Sequence, residues 1–255
     1  MTTGKHFCTI LLIILSLLLC KSTPGRAGAG EDLLFQQGNE AYSRGDYQQA
    51  IARYEELVSS AGLSPAVLFN LANSYAQSGK IGRAVLNYER AQRLTGADSD
   101  ISGNLELVRK ESGLFTSEPS GAERFFHHLT LDQWAMLSLL MLLFFTAFQA
   151  ATITYRIGRK TRLGVRLACI LVFVLAVTGA AIHYRHFQPS VVVAPDARLL
   201  ISPFPSATSV GAIQEGRLVY PQKSHGPFTY IRDETNRQGW ILSSCLEAVV
   251  IKPAS

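Results

Sequence analysis

The chain has 255 residues and a formal net charge of +5, room for two small domains beside a membrane segment. Its cations concentrate in the N-terminal leader (Lys5, Lys21, Arg26) and in one short stretch from Arg156 to Arg166, whereas Glu31 to Asp132 is acid-rich. No soluble stretch combines a basic patch with interleaved aromatics, which excludes a nucleic-acid partner. Of four cysteines only Cys245 is expected in an oxidising space, which excludes a disulfide framework.

The N-terminus has Lys5 and His6, an apolar run from Cys8 to Leu19, and small residues at Ala27 and Ala29. That is the three-part pattern of a secretory signal spanning residues 1–29, with cleavage expected after Ala29. Lipidation at Cys20 and retention as an uncleaved anchor are the alternatives, and each leaves the next domain on the same side of the membrane.

From Glu31 the sequence repeats itself with a period of about 34 residues. Leu34, Gly38, Gly45, Ala50, Tyr54 and Leu57 return as Leu68, Ala72, Gly79, Ala84, Tyr88 and Ala91. Small residues at Gly38/Ala72 and Ala50/Ala84 let antiparallel helices approach closely, Gly45 and Gly79 end the first helix of each pair, and the tyrosines fill the gap between pairs. The spacing predicts helices over Asp32–Arg44, Tyr47–Ser60, Pro65–Ser78 and Ile81–Leu94, with Ser64 as a hydroxyl N-cap before Pro65. A fifth helix over Asp100–Lys110 reads as a polar cap on the last pair.

This pattern resembles the tetratricopeptide family, with repeats at 31–64 and 65–98 in a segment from 30 to 112. The resemblance implies an all-α solenoid whose concave face holds extended peptides. Carried over by position, the groove residues are Phe35, Asn39, Tyr42, Phe69, Asn70, Asn73 and Gln77, and the asparagine amides both donate to and accept from a peptide backbone. Phe35 and Asp100 stand where carboxylate-clamping members of the family have basic residues, which argues against capture of a C-terminal carboxylate. The alternative for the asparagines is a solvent-facing consensus role.

Residues 113–132 are a linker, rich in Ser, Gly, Glu and Pro up to Arg124 and then carrying Phe125 and Phe126, read with Trp134 as an interfacial aromatic anchor. Ala135–Ile153 and Leu167–Ile182 are charge-free apolar runs, predicting transmembrane helices over 133–155 and 167–184. Between them, 156–166 holds Arg156, Arg159, Lys160, Arg162 and Arg166. A short basic loop stays cytoplasmic, so both flanking segments are expected in the periplasm of a bacterial inner membrane. His127 and His128 before the hairpin and His183 and His186 after it are candidates for a metal or pH-sensing cluster, with ordinary interfacial placement preferred; no metal or cofactor is expected.

After His186 come short β-type runs at Val191, Ala197, Gly216, Phe228, Gly239 and Ala248 with turns between them, predicting a small antiparallel barrel over 190–252. The turn at Pro205–Ser206 and the Gly239–Trp240 pair are similar to the bacterial SH3 family. Its candidate ligand face is Tyr220, Phe228, Tyr230 and Trp240, with a core role the alternative for Trp240. Cys245 is read as a small buried hydrophobe.

No nucleophile–base pair, metal motif or phosphate-cradling loop appears, so no enzymatic activity is expected. The fold class is a multidomain membrane protein: tetratricopeptide solenoid, two-helix hairpin, SH3-like barrel. That order resembles the BatE family of the Bat (aerotolerance) group of bacterial inner-membrane proteins. The resemblance implies a scaffold with membrane partners carrying von Willebrand A domains and an association with MoxR-type AAA ATPases. Docking of the barrel on peptidoglycan, with wall enzymes recruited by the repeats, is the alternative.

Overall fold

The computed structural model describes residues 29–96, 98–115, 121–155, 157–185 and 188–250. Residues 1–28 of the leader, with Cys8 and Cys20, and Arg156 and His186 lie outside the described residues, as do the side chains of His127 and His183; the cleavage point expected after Ala29 falls at the first residue of the first helix.

Five helices come first: α1 Ala29–Ser43, α2 Tyr47–Ala61, α3 Pro65–Gln77, α4 Ile81–Thr95 and α5 Ser99–Glu111. They pack as the repeat period requires. Ala41, Ala50, Ala72, Ala84 and Ala91 are completely buried, and a Cβ on Gly38 would stand 2.5 Å from Tyr54 Cε1. Tyr54 and Tyr88, one period apart, fill the space between helices, and each donates its hydroxyl to an asparagine of the preceding helix: Tyr54 to Asn39 Oδ1 at 2.7 Å, and Tyr88 to Asn73 Oδ1. Ser64 does precede Pro65, but its hydroxyl caps nothing. The working side-chain caps are Asp46, accepting from the Gln49 N–H, and Asp98, accepting from those of Asp100 and Ile101.

The helix read as a polar cap ends as the first helix of each repeat does. Gly45, Gly79 and Gly113, each one period after the last, all take left-handed φ (78°, 76° and 67°) and close α1, α3 and α5 with one pattern. Their N–H groups donate to Tyr42, Ala76 and Lys110, and the next residue donates to Ala41, Tyr75 and Arg109. Asp46 and Lys80 then begin α2 and α4. Leu114 instead turns away, 3% exposed, into a core shared with the sheet.

A short helix α6, Gly121–His127, leads to two long apolar helices, α7 Leu131–Thr154 and α8 Arg159–Arg185. A helix as long as α7 spans ~36 Å, and both helices are long and apolar enough to cross a membrane. Both are longer than the charge-free runs that announce them. A capping box of Thr130 and Gln133 starts α7 ahead of Trp134. Arg159, Lys160 and Arg162 lie in the first turn of α8 and Arg166 further along it, so the predicted basic loop is helical from Arg159. Arg and Lys are good helix formers, and an arginine run marks no helix end. Arg166 Nε donates to Gln149 Oε1 at 2.9 Å, joining the two helices. Trp134, predicted to face the interface, is 3% exposed: its ring lies against Gly179 and its Nε1 donates to the Phe126 carbonyl at 3.0 Å.

The C-terminal part is a curled, wholly antiparallel sheet of seven strands: β1 Ser190–Val192, β2 Ala197–Leu200, β3 Ser209–Ile213, β4 Leu218–His225, β5 Phe228–Asp233, β6 Gln238–Leu242 and β7 Leu246–Ala248, in the order β3-β2-β6-β5-β4-β1-β7. Val192, Leu199, Ile213, Val219, Ile231 and Ile241 form its inner core. Edge strand β3 lacks a sequence signal because all of it but Ile213 is exposed. A Cβ on Gly239 would meet Leu199 Cγ at 2.6 Å, so only glycine fits beside Trp240. The turn after β5 is organised by buried Asp233, whose carboxylate accepts from the backbone N–H of Thr235 and Arg237, the Thr235 hydroxyl and Arg237 Nε, all within 2.9 Å.

Candidate functional site

The helical and sheet parts are packed together, and this positions one wall of a groove on the helical side. Val191, Leu218 and Val249 belong to the same core as α1–α5. Where a second helix would follow α5, Gly216 (φ +85°) brings the β3–β4 turn onto Leu114, Ile81 and Val85. Polar contacts ring this junction. Gln214 Nε2 donates to the Ser112 carbonyl at 2.5 Å, Arg217 Nη1 to the Phe115 carbonyl at 2.8 Å, and the Gly82 N–H to Glu215 at 2.8 Å. Arg90 bonds Glu247 and the Ala248 carbonyl. At the centre, Arg109 of α5 lies between Glu89 of α4 and Glu234 of the β5–β6 turn.

This junction fixes α5 as the third wall of a groove of about 300 Å³. Tyr42 of α1, Asn73 and Gln77 of α3, Tyr88 of α4, and Asn104, Leu107 and Glu111 of α5 line it. Of the predicted groove residues, Tyr42, Asn73 and Gln77 are therefore brought together. Phe35 and Phe69 instead pack in tilted and edge-on contact on Tyr54 and Tyr88, partly buried against the core. Asn39 and Asn70 hydrogen-bond each other at 3.1 Å beside Tyr54. Asn104, Leu107 and Glu111 were legible in principle, since they stand one repeat period after Asn70, Asn73 and Gln77.

The tyrosines orient the asparagines. Burial pushes the Tyr54 hydroxyl up to about 12, against a hydrogen bond with Asn70 that lowers it, and burial raises that of Tyr88 further still. Both are donors at neutral pH. Asn73 accepts from Tyr88 through Oδ1, which leaves its Nδ2 as the donor for anything entering the groove.

The predicted ligand face of the sheet is divided by the structure. Phe228 is 2% exposed and lies in a small core with Leu200 and Trp240. Tyr220 shares the face of Leu218, turned toward the helices; burial, then Glu234 and Glu89, push its hydroxyl up to about 12. Tyr230 and Trp240 do meet, edge to face at 5.3 Å, with Lys223 Nζ 5.0 and 5.4 Å from their ring centres. His225 and exposed Phe204 extend this row. Both lay outside the predicted face because His225 ends the polar, exposed half of β4 and Phe204 sits in a turn.

Cys245 packs against the inner sheet core, where burial pushes its thiol up despite a hydrogen bond with Ser244, and so away from thiolate reactivity. Among the described residues no three His, Cys, Asp or Glu side chains are grouped to hold a metal ion. No protein-family model matches this chain, and no curated protein is significantly similar to it.

Proposed function

We propose that this chain is a non-enzymatic scaffold of a bacterial inner membrane. In this reading α1–α5 are a tetratricopeptide array, the sheet is an SH3-like barrel, α7 and α8 cross the membrane, and both packed modules face the periplasm. The observation that carries it is the groove at Asn73: an open cleft walled by three successive repeat units, with oriented amide donors, on a chain that also has two apolar helices of membrane-spanning length. Such a cleft suits an extended segment of another protein. The resemblance to the BatE family supplies the partner class: membrane proteins with von Willebrand A domains, served by a MoxR-type ATPase system on the cytoplasmic side, where Arg159, Lys160 and Arg162 would lie.

A second reading is favoured by the row Phe204, His225, Trp240 and Tyr230 with Lys223: the sheet module docks on peptidoglycan and the groove recruits wall enzymes. One experiment separates the two. Photo-crosslinkers replace Asn73 or Tyr230 in the full-length chain in its native membrane, and the captured species are identified by mass spectrometry. The scaffold reading expects inner-membrane proteins from Asn73. Muropeptides from Tyr230 with wall enzymes from Asn73 would replace it with the second, and labelling of both sites by an impermeant cytoplasmic reagent would overturn the topology of both.

A further inference from the structure

Glu111 is the one charged side chain among the described residues that line the groove. The groove walls come from three helices that run the same way and end together. Tyr42 is the penultimate residue of α1, Gln77 the last of α3, Glu111 the last of α5, and Ser112 caps α5. The C-termini of α1 and α3 are offset by the N-termini of α2 and α4, which begin within four residues of them, whereas no helix begins in the described residues directly after α5, so its partial negative charge, about half a unit and felt within the last turn, stands unopposed. Glu111 adds a full carboxylate at the end where the dipole already disfavours one. Neither α1 nor α3 has a basic residue in its last turn.

The neighbouring cations are directed elsewhere. Arg44 donates to Gln49, Lys80 to Gln48 and lies over the Tyr75 ring, and Arg109 is held between Glu89 and Glu234. Lys110 is exposed and outside the lining, which among the described residues contains no lysine or arginine. The remaining polar groups, the amides of Asn73, Gln77 and Asn104, suit peptide backbone, and half-exposed Leu107 offers an apolar contact.

The geometry points to a specific occupant: an extended internal peptide segment whose lysine or arginine side chain reaches Glu111 while Asn73 Nδ2 donates to its backbone carbonyl. This rests on the peptide-groove reading above and adds the charge of the partner. A free carboxylate terminus is disfavoured at the same place by the same field.

The test is selection of a library of random short peptides, displayed with both ends blocked, on the full-length chain in lipid nanodiscs. Enriched peptides are expected to share a Lys or Arg at one position. Glu111→Lys should weaken the best of them about tenfold, Glu111→Gln less, and repeated selection on Glu111→Lys should return Asp or Glu at that position. Glu106→Lys reverses an exposed charge on the same helix outside the lining, and should leave affinity within twofold. Binding peptides without a cation preference, or equal losses in the Glu111→Lys and Glu106→Lys variants, would overturn the charge assignment alone. Failure to enrich any peptide would overturn the groove reading with it.

Discussion

Replacing Arg109 by methionine separates a welded junction from two modules that merely touch. The guanidinium and its partners Glu89 and Glu234 are only 14%, 15% and 9% exposed, and they belong to α5, α4 and the sheet respectively. Methionine keeps most of the volume and removes the charge, leaving two carboxylates facing each other with little water. Breaking a buried ionic group from one side costs about 3–5 kcal/mol, which for ~150 residues of soluble structure corresponds to roughly 6–20 °C in Tm. The comparison is Arg53→Met, whose partner Glu56 and own side chain are 54% and 39% exposed; such surface pairs contribute about 0–1 kcal/mol. Acidity supplies a second readout. Burial already pushes the Glu89 carboxyl up, Arg109 opposes this, and Glu234 adds to it; without Arg109 the rise is larger. A carboxyl raised in the folded state destabilises at pH above its folded value, and the penalty is relieved as pH falls through that value. The Arg109→Met deficit should therefore be full near neutrality and shrink on acidification. Thermal unfolding of the detergent-solubilised chain, followed by circular dichroism across pH, measures both effects. An Arg109→Met loss no larger than that of Arg53→Met, or one that grows with acid, would refute the junction as a structural element.

Three further outcomes follow from other contacts. Gly179→Val drives a Cβ to within 2.6 Å of Trp134 Cδ2, so the indole should leave its place between α7 and α8 and become quenchable by brominated lipid; unchanged quenching would deny this packing. Asp233→Asn removes a carboxylate that burial alone would raise but that Thr235 and Arg237 hold below the ordinary range. Its contribution is complete above that range and lost as pH falls through the depressed value, so the variant should be about 1–3 kcal/mol less stable at neutral pH and should lose the corresponding part of the acid-unfolding slope, measured by urea titration at several pH values. Gly216→Ala combines a disfavoured φ with a Cβ 2.7 Å from Leu114 Cδ1; it should lower the Tm and expose the chain around Leu114 to limited proteolysis, whereas Gly45→Ala, strained in φ but with open space, should lower the Tm without that cleavage.

The repeat period was legible because close helix packing needs small residues and left-handed glycines at fixed intervals, and Gly38, Ala50, Gly45 and Gly79 supply them in register. The likeness of the end of α5 to those of α1 and α3 was not read, because its signal is the glycine at 113 and not the apolar pattern, which breaks where Leu114 departs for the sheet. The apolar helices were legible in type but not in length, since Thr130 and Gln133 extend one end with polar residues and Arg159 to Arg166 extend the other. Side-chain direction was the least legible property. Nothing in the strand pattern of β4 distinguishes a face turned to ligand from one turned to α4, so Tyr220 was assigned to the wrong side. Phe35 and Phe69, placed by analogy in the groove, pack on Tyr54 and Tyr88 and are not among its lining residues.

The departure of the chain at Leu114 has a consequence for how the two modules work. A helical repeat buries the exposed side of its first helix with a second, and α5 has none; the β3–β4 turn, Leu218 and Val249 take that position. The face of α5 toward the groove presents Asn104, Leu107 and Glu111, and the same helix presents Arg109 to Glu234. Because Arg109 ties α5 to the sheet, a ligand in the groove is expected to be coupled to the sheet, and that coupling would be reciprocal. The coupling has a measurable form: for a peptide selected on the native chain, Arg109→Met should weaken binding although Arg109 does not line the groove. Affinity unchanged by a variant whose stability has fallen would show that α5 holds its place without the sheet.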